Sequence, residues 1–306
     1  VIVGQTRGQT VLPMPIPEGT DVKEAAADSE VLNTVEGAVI DWTRLIRDVL
    51  KEEPDSIFVK DGITSHLKPR DEISFWQKRE ANLRSIQSQL NSETARKVME
   101  ILREGGQSTS SQGKSSFLNP IQQCELELRE KLAEASDITK YLKPFGELLQ
   151  AVEDYDFEAE DDGIASSFFP LLVAVRVIWN HSTSYQTERR IVILLACISN
   201  LIVERTREFV DDGILGETAG DSPRGGLQKL EQAIAVMEAY KLTFKAAKLK
   251  IEQQAEKPEA GAVDNAHTWK FDLKLIFERY DIFLARLREI EHVFEVVITF
   301  DRLEKV

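Results

Sequence analysis

The chain has 306 residues, of which 42% are hydrophobic and 29% are charged, a composition typical of a folded protein with a sizeable core. Its formal net charge of −14 argues against a nucleic-acid backbone and an anionic membrane as partners, because both bind basic surfaces. The two cysteines, Cys124 and Cys197, are too few for a disulfide framework and predict reduced thiols in a cytosolic compartment.

Residues 1–30 contain prolines at positions 13, 15 and 17 and show no sustained hydrophobic period, which predicts an extended lead-in. The pattern changes in the stretch NTVEGAVIDWTRLIRDVLKEE, where apolar residues recur at intervals of three and four and predict an amphipathic helix. Asn33, with Glu36 three positions later, has the spacing of a capping box and is predicted to cap this helix.

A second amphipathic stretch begins at PRDEISFWQKRE and completes a first helical region, residues 31–103. Trp76, Leu83 and Leu90 recur every seven residues, which predicts a packing seam for a neighbouring helix. Arg79 interrupts this seam, so we do not expect a long free coiled coil. The tryptophans of these helices are interpreted as core residues or as exposed anchors for another helix, and the sequence leaves both open.

Residues 104–118 form a Gly/Ser-rich insertion that contains GGQSTSSQGKSS. A phosphate-binding loop has a glycine, four residues and then Gly-Lys-Ser/Thr, but Ser108 stands where the first glycine is required. The insertion also follows a helical pattern rather than a buried strand. We therefore predict a flexible connection between two helices, and an NTPase built on residues 105–115 remains the less favoured alternative.

Residues 119–306 are predicted to form a region of helical bundles. The run IVILLACISNLIV, residues 191–203, is shorter than the roughly 20 residues that span a bilayer and predicts a helix buried in protein. The C-terminal stretch repeats apolar residues along one helical face: Leu273, Ile276, Phe277, Tyr280, Phe283, Leu284, Leu287, Ile290, Phe294 and Val297. Strand alternation is nearly absent, so the fold class is predicted as all-α, with elongated stacked helical bundles and loop insertions.

Catalytic and metal-binding patterns are not found. The histidines at 66, 181, 267 and 292 are scattered, which argues against a zinc site. The stretch EDYDFEAEDDG resembles a calcium loop in its alternating carboxylates, but Ala159 and Ala165 stand where glycine and glutamate are required. We predict no catalytic, cofactor or metal site, and interpret residues 153–163 as a solvated acidic loop that could dock a basic partner.

The two N-terminal helices carry a distinctive combination of residues. Trp42 and Ile46 form a Trp-x-x-x-Ile pair, and the next helix carries Phe-Trp-x-x-Arg-x-x-Asn-Leu-x-x-Ile at Phe75, Trp76, Arg79, Asn82, Leu83 and Ile86. This combination resembles the N-terminal tail region of dynein heavy chains over residues 31–306, and the IDWTRLIRDVL form is most similar to axonemal outer-arm heavy chains.

The resemblance implies a non-catalytic tail segment, since the ATPase ring of such a motor lies outside this region. It implies association with other heavy chains through residues 31–103, assembly with intermediate and light chains, and attachment through docking proteins on the doublet microtubule. The implied location is the axoneme of a cilium or flagellum, after assembly in the cytoplasm. An unrelated helical scaffold or adaptor is the alternative. The candidate interaction residues are Trp42, Ile46, Phe75, Trp76, Leu83, Ile86 and Leu90.

Overall fold

The computed structural model describes residues 9–52, 68–108, 118–157, 164–215, 223–255 and 269–304. These residues form nine α-helices and no strand, which confirms the all-α prediction. Within them, no helix is long and apolar enough to cross a membrane. The helices are α1 Val22–Ala27, α2 Ser29–Leu50, α3 Pro69–Leu90, α4 Glu93–Ser108, α5 Leu118–Glu153, α6 Ile164–His181, α7 Glu188–Leu215, α8 Pro223–Ala255 and α9 Leu273–Glu304.

The chain divides into two compact units. Unit 1 comprises Val1–Lys60 and Ser74–Thr139, and unit 2 comprises Asp61–Ile73 and Lys140–Val306. The helices α3 and α5 therefore have residues in both units. The predicted segment boundaries at positions 30, 103 and 118 and the predicted elongated stacking are not tested by this division, and they stay predictions.

The start of α2 differs from the sequence prediction. Asp28 is the N-cap, and its carboxylate accepts a hydrogen bond of 2.8 Å from the backbone N–H of Glu30. The cap predicted at Asn33 is therefore wrong, because Asn33 lies inside the helix. The short helix α1 ends at Ala27, and Asp28, which follows it, places a capping carboxylate next to the first free N–H groups of α2.

The core of unit 1 lies between α2, α3, α4 and the first part of α5. Each buried apolar side chain contributes roughly 1.5–3 kcal/mol relative to an exposed one. Residues 9–20 have no regular secondary structure, yet Leu12 and Ile16 are buried with these helices, so the predicted extended lead-in is docked over this range. The fully buried core residues of the helices include Val35, Trp42, Ile46, Trp76, Leu83, Ile86, Val98, Ile101, Ile121 and Leu128.

Unit 2 has an aromatic core between α6, α8 and α9. Phe244 of α8 meets Phe277 of α9 edge to face, with ring centroids 5.0 Å apart. Tyr240 contacts Phe168 of α6 in the same way at 5.1 Å. The Tyr280 hydroxyl donates to the carbonyl oxygen of Met237, so its polar atom is satisfied inside the core.

The predicted buried helix at residues 191–203 is part of α7, and most of its side chains are buried. The turn before α7 holds Tyr185, which is also buried and whose hydroxyl donates to the carboxylate of Glu72 in the first turn of α3. Burial is the main cause that raises the pKa of Tyr185 well above its ordinary value, and the nearby Glu72 carboxylate raises it further. Tyr185 therefore remains a neutral donor that joins the turn to α3 within unit 2.

Replacing Leu83 by alanine should destabilise the chain by about 2–5 kcal/mol, because its side chain is fully buried and its removal leaves a cavity. The matched control is Leu126→Ala, since Leu126 is also helical but 55% exposed, and it should change the free energy of unfolding by less than about 0.5 kcal/mol. Urea unfolding followed by circular dichroism measures both. Equal losses in the two variants would contradict the assigned core.

The two cysteine thiols should be unreactive in the folded chain. Cys124 and Cys197 are free and buried, and burial raises the pKa of both, so the reactive thiolate is scarce near pH 8. Iodoacetamide should label neither thiol in native buffer and both in guanidinium chloride, as measured by intact mass. Rapid labelling of either cysteine in the native chain would show that its burial is assigned wrongly.

Candidate assembly surface

The seven predicted interaction residues lie mainly inside unit 1. Six are at most 6% exposed, and Leu90 is half-buried. Phe75 and Trp76 meet edge to face, with ring centroids 5.4 Å apart. In the single chain these side chains form the core of their own unit. Their contact with a second heavy chain is not tested by this placement and stays a prediction for Trp42, Ile46, Phe75, Trp76, Leu83, Ile86 and Leu90.

Arg79, a polar residue of the quoted motif, also makes its contacts within unit 1. Arg79 is 5% exposed, and its Nη1 lies 3.5 Å from the carbonyl oxygen of Val49, near the end of α2. Burial lowers the pKa of Arg79, while the carboxylates of Glu52 and Glu134 oppose that effect. A cation at this place complements the partial negative charge of a helix C-terminus. The residue that interrupts the apolar seam of α3 is therefore the one that contacts the end of α2.

The Gly/Ser-rich insertion and the acidic loop, which the sequence analysis weighed against a phosphate loop and a calcium loop, lie partly outside the described residues. Gly105 lies within α4, which extends to Ser108, and residues 109–117 are not described. Residues 158–163 of the acidic stretch are likewise outside the described ranges. The described part of the chain contains no group of three or more His, Cys, Asp or Glu residues that could hold a metal ion. The absence of a cofactor stays a prediction.

Helix α9 carries apolar residues on two sides. Its inner side is buried from Ile276 to Leu287 and again at Ile298. Six further apolar side chains are 39–66% exposed: Ile290, Val293, Val296, Val297, Phe300 and Leu303. At about 100° per residue, these six form a stripe roughly 140° wide that lies largely opposite the buried residues. We call this stripe the α9 outer face.

The α9 outer face continues past the end of the neighbouring helix. Tyr280 pairs with Met237, and a side chain at Gly226 would lie 2.7 Å from the ring of Phe294, so α8 and α9 run antiparallel. Gly226 is only three residues after Pro223, where α8 begins. Residues of α9 beyond Phe294 therefore approach and then pass the start of α8. Phe300 and Leu303 lie in this overhang and are each 66% exposed.

The sequence prediction of one apolar face on α9 is corrected here. The sequence pattern places Leu273, Ile290 and Val297 on the same helical face as the residues that prove to be buried, but these three are 37%, 40% and 47% exposed. Val293, Val296, Phe300 and Leu303 were missed. Their spacing of three and four residues was a readable signal, because it forms a second helical stripe beside the first.

Residues 32–306 match the family described as dynein heavy chain, N-terminal region 1. The chain belongs to the dynein heavy chain family. This confirms the resemblance drawn from the two N-terminal helices and sets aside an unrelated helical scaffold.

Individual relatives of this dynein heavy chain region match it over its whole length. It is 32% identical over 314 residues to the ciliary dynein beta chain of Tripneustes gratilla. It is 29% identical over 314 residues to the flagellar outer-arm dynein beta chain of Chlamydomonas reinhardtii and 30% identical over 317 residues to dynein axonemal heavy chain 17 of Homo sapiens. Each match covers all of the chain, which spans only 6–7% of the length of these relatives.

Phe300→Glu should leave the fold of this dynein heavy chain region intact, because Phe300 is 66% exposed. We expect a change in the free energy of unfolding below about 0.5 kcal/mol. The matched variant Phe277→Glu buries a carboxylate among aromatic rings at a position that is 4% exposed, and should cost more than about 3 kcal/mol or prevent folding. Urea unfolding of both variants measures the difference. Comparable losses would mean that Phe300 is packed within the chain.

Proposed function

We propose that this chain is a non-catalytic tail segment of an axonemal outer-arm dynein heavy chain. It contributes to heavy-chain association, to assembly with intermediate and light chains, and to docking on the doublet microtubule. The names of the ciliary, flagellar outer-arm and axonemal relatives support the class of dynein and a place in the axoneme. The complex would be assembled in the cytoplasm before it enters the cilium or flagellum.

The observation that carries an assembly role is the α9 outer face. Contiguous exposed apolar residues on an otherwise charged protein often mark a surface that another molecule covers. We propose that its occupant is an amphipathic helix of another part of the dynein tail, because a stripe roughly 140° wide on a regular helix is shaped to pack against a second helix with the same kind of stripe.

The helical architecture suits a mechanical role. Each helix satisfies its own backbone hydrogen bonds, so bundles of helices can be joined without leaving exposed strand edges. In this proposal, the tail segment holds motors at fixed positions and transmits force from the motor to the attached microtubule. ATP hydrolysis would take place in parts of the heavy chain outside this sequence.

Docking on the doublet microtubule would be indirect. The formal net charge of −14 opposes close approach to the acidic surface of a microtubule, since like charges repel at short range. Docking proteins and the intermediate and light chains would therefore make the contact with the microtubule.

The test is a pair of substitutions in the full-length heavy chain of a ciliated or flagellated cell. Phe300→Glu with Leu303→Glu places two carboxylates on the α9 outer face. If that face packs against a tail helix, recovery of other heavy chains and intermediate chains with the tagged variant should fall at least about tenfold, because the two most exposed apolar side chains of the face are lost. Quantitative mass spectrometry of the purified complexes measures the recovery.

The matched control carries His292→Glu with Thr299→Glu. Both residues are exposed and lie beside the α9 outer face rather than in it, so this variant gains the same two carboxylates and keeps all six apolar side chains of the face. It should keep its partners. A Phe300, Leu303 double variant that recovers partners as well as this control and enters axonemes normally would refute the proposed surface. Self-association of the isolated chain through the face, measured by sedimentation, would also refute a tail helix as its occupant.

A further inference from the structure

Exposed apolar residues of α9 recur every seven positions over nearly the whole helix. Leu275, Ile282, Val296 and Leu303 are 59%, 53%, 39% and 66% exposed. Glu289 occupies the remaining position of this series, midway between Ile282 and Val296. Residues seven apart on an α-helix are displaced by only about 20° around its axis, so these five residues share one side of α9. We call them the heptad row.

A second series lies beside the heptad row. Arg286, Val293 and Phe300 also recur every seven positions, and each stands three residues before a member of the row. Alternating gaps of three and four residues are the spacing of the a and d positions in a coiled coil. The second series stops at Arg286, because Arg279 is paired with Glu204 within unit 2. We call the heptad row and this second series together the α9 seam.

The length of the heptad row sets the size of what can cover it. From Leu275 to Leu303 the helix rises about 42 Å, at 1.5 Å per residue. A loop or a short peptide would cover only part of this length. A helix of about 28 residues with the same spacing would cover all of it, provided that it crosses α9 at about 20°, the angle at which two such seams stay in contact.

Two charged residues interrupt the α9 seam near its middle. Arg286 and Glu289 stand one heptad before two valines of the α9 outer face, and both are exposed. In the part of the chain that the structure describes, neither forms an ion pair, whereas the adjacent Arg288 is paired with Glu238 of α8. Covering a charge without an opposite charge is costly, so these two positions restrict which helix can lie over the seam.

We propose that the α9 seam is one half of a left-handed coiled coil about four heptads long. The other half is a helix from another part of the dynein tail that carries a cation opposite Glu289 and a carboxylate opposite Arg286. The apolar layers supply the attraction, and the central charges select the partner and its register. The inference rests on the proposed assembly function, to which it adds the length, the crossing angle and the charge pattern of the partner.

The first test maps the partner by photocrosslinking in the purified dynein complex. The full-length heavy chain carries a benzophenone amino acid at Leu275 in one preparation and at Leu303 in another, since both side chains are exposed. A single covering helix should give crosslinks at two sites of one tail segment, about 28 residues apart, as mass spectrometry of the crosslinked peptides measures. Crosslinks to two unrelated segments, to a second copy of α9, from one position alone or from neither position would overturn the inference.

The matched control for crosslinking is Leu242 of α8. This side chain is 64% exposed, so it is as accessible as Leu303, but it lies on the neighbouring helix and outside the α9 seam. The same benzophenone amino acid at Leu242 should not crosslink to the segment that the two α9 positions label. Equal labelling of that segment from Leu242 would show that the crosslinks report proximity in general, and would contradict a partner seated on the seam.

The second test reverses the two charges of the α9 seam in the full-length heavy chain. Glu289→Lys and Arg286→Glu should each lower recovery of the crosslinked partner at least about tenfold, because each variant places like charges opposite one another. Quantitative mass spectrometry of the purified complexes measures the recovery. The control is Glu231→Lys, which makes the same change of charge at an exposed position of α8 and should keep the partner.

The double variant Arg286→Glu with Glu289→Arg asks what these charges face. If they served only to pair with one another along α9, the swap would restore recovery, since both charges would still be three residues apart. If they face opposite charges on a partner, the double variant should recover the least of the three. Restored recovery, or single variants that recover as much as Glu231→Lys, would overturn the selection by charge. Such a result together with partner loss in the Phe300, Leu303 double variant would leave the proposed function standing.

Discussion

An amphipathic helix is stable in water only when another surface covers its apolar side, and this requirement governs both units of the chain. In unit 1 the apolar side chains of α2 and α3, Trp42 and Trp76 among them, are buried, and Arg79 of α3 lies against the Val49 carbonyl near the end of α2. In unit 2 the aromatic rings of α8 and α9 cover one another. Among the described residues, the α9 outer face carries more apolar surface than its neighbours within unit 2 cover. This surplus supports the assembly role proposed above.

Buried polar groups add a second constraint, since apolar surfaces alone tolerate sliding of one helix along another. Tyr280 is tied to the carbonyl of Met237, and Tyr185 to the carboxylate of Glu72. A donor buried without its acceptor would cost about 1–3 kcal/mol, so each pair favours one register of the packed elements. Both pairs join segments that are distant in sequence, 43 residues apart in the first pair and 113 in the second. They therefore constrain the tertiary arrangement of unit 2 rather than any single helix.

Periodicity in the sequence predicted helices such as α2 because one-sided burial leaves a period near 3.6 residues, whereas the run within α7 was predicted from its unbroken apolar length. It did not predict Asp28 as the cap of α2, since the short α1 has too few residues to show a period and Asn33 offered an equally good capping pattern. It also merged the two stripes of α9, because an exposed valine and a buried one look identical in sequence. Tyr185 and Gln89 could not be assigned roles at all, since their partners are 113 and 79 residues away.

The apolar and the charged residues of the proposed α9 seam differ in a way that bears on how a tail could be assembled. The outer face is apolar and its contacts are set by shape. Arg286 and Glu289 present charges at fixed places, so an occupant must bring the opposite charges in register. Selection of register also operates inside unit 1, where the Gln89 amide accepts from the Leu12 N–H and donates to the Thr10 carbonyl, and so holds the lead-in at one place. A shape-based contact forms with many helices and supplies stability, whereas a register-based contact accepts few sequences and supplies selectivity.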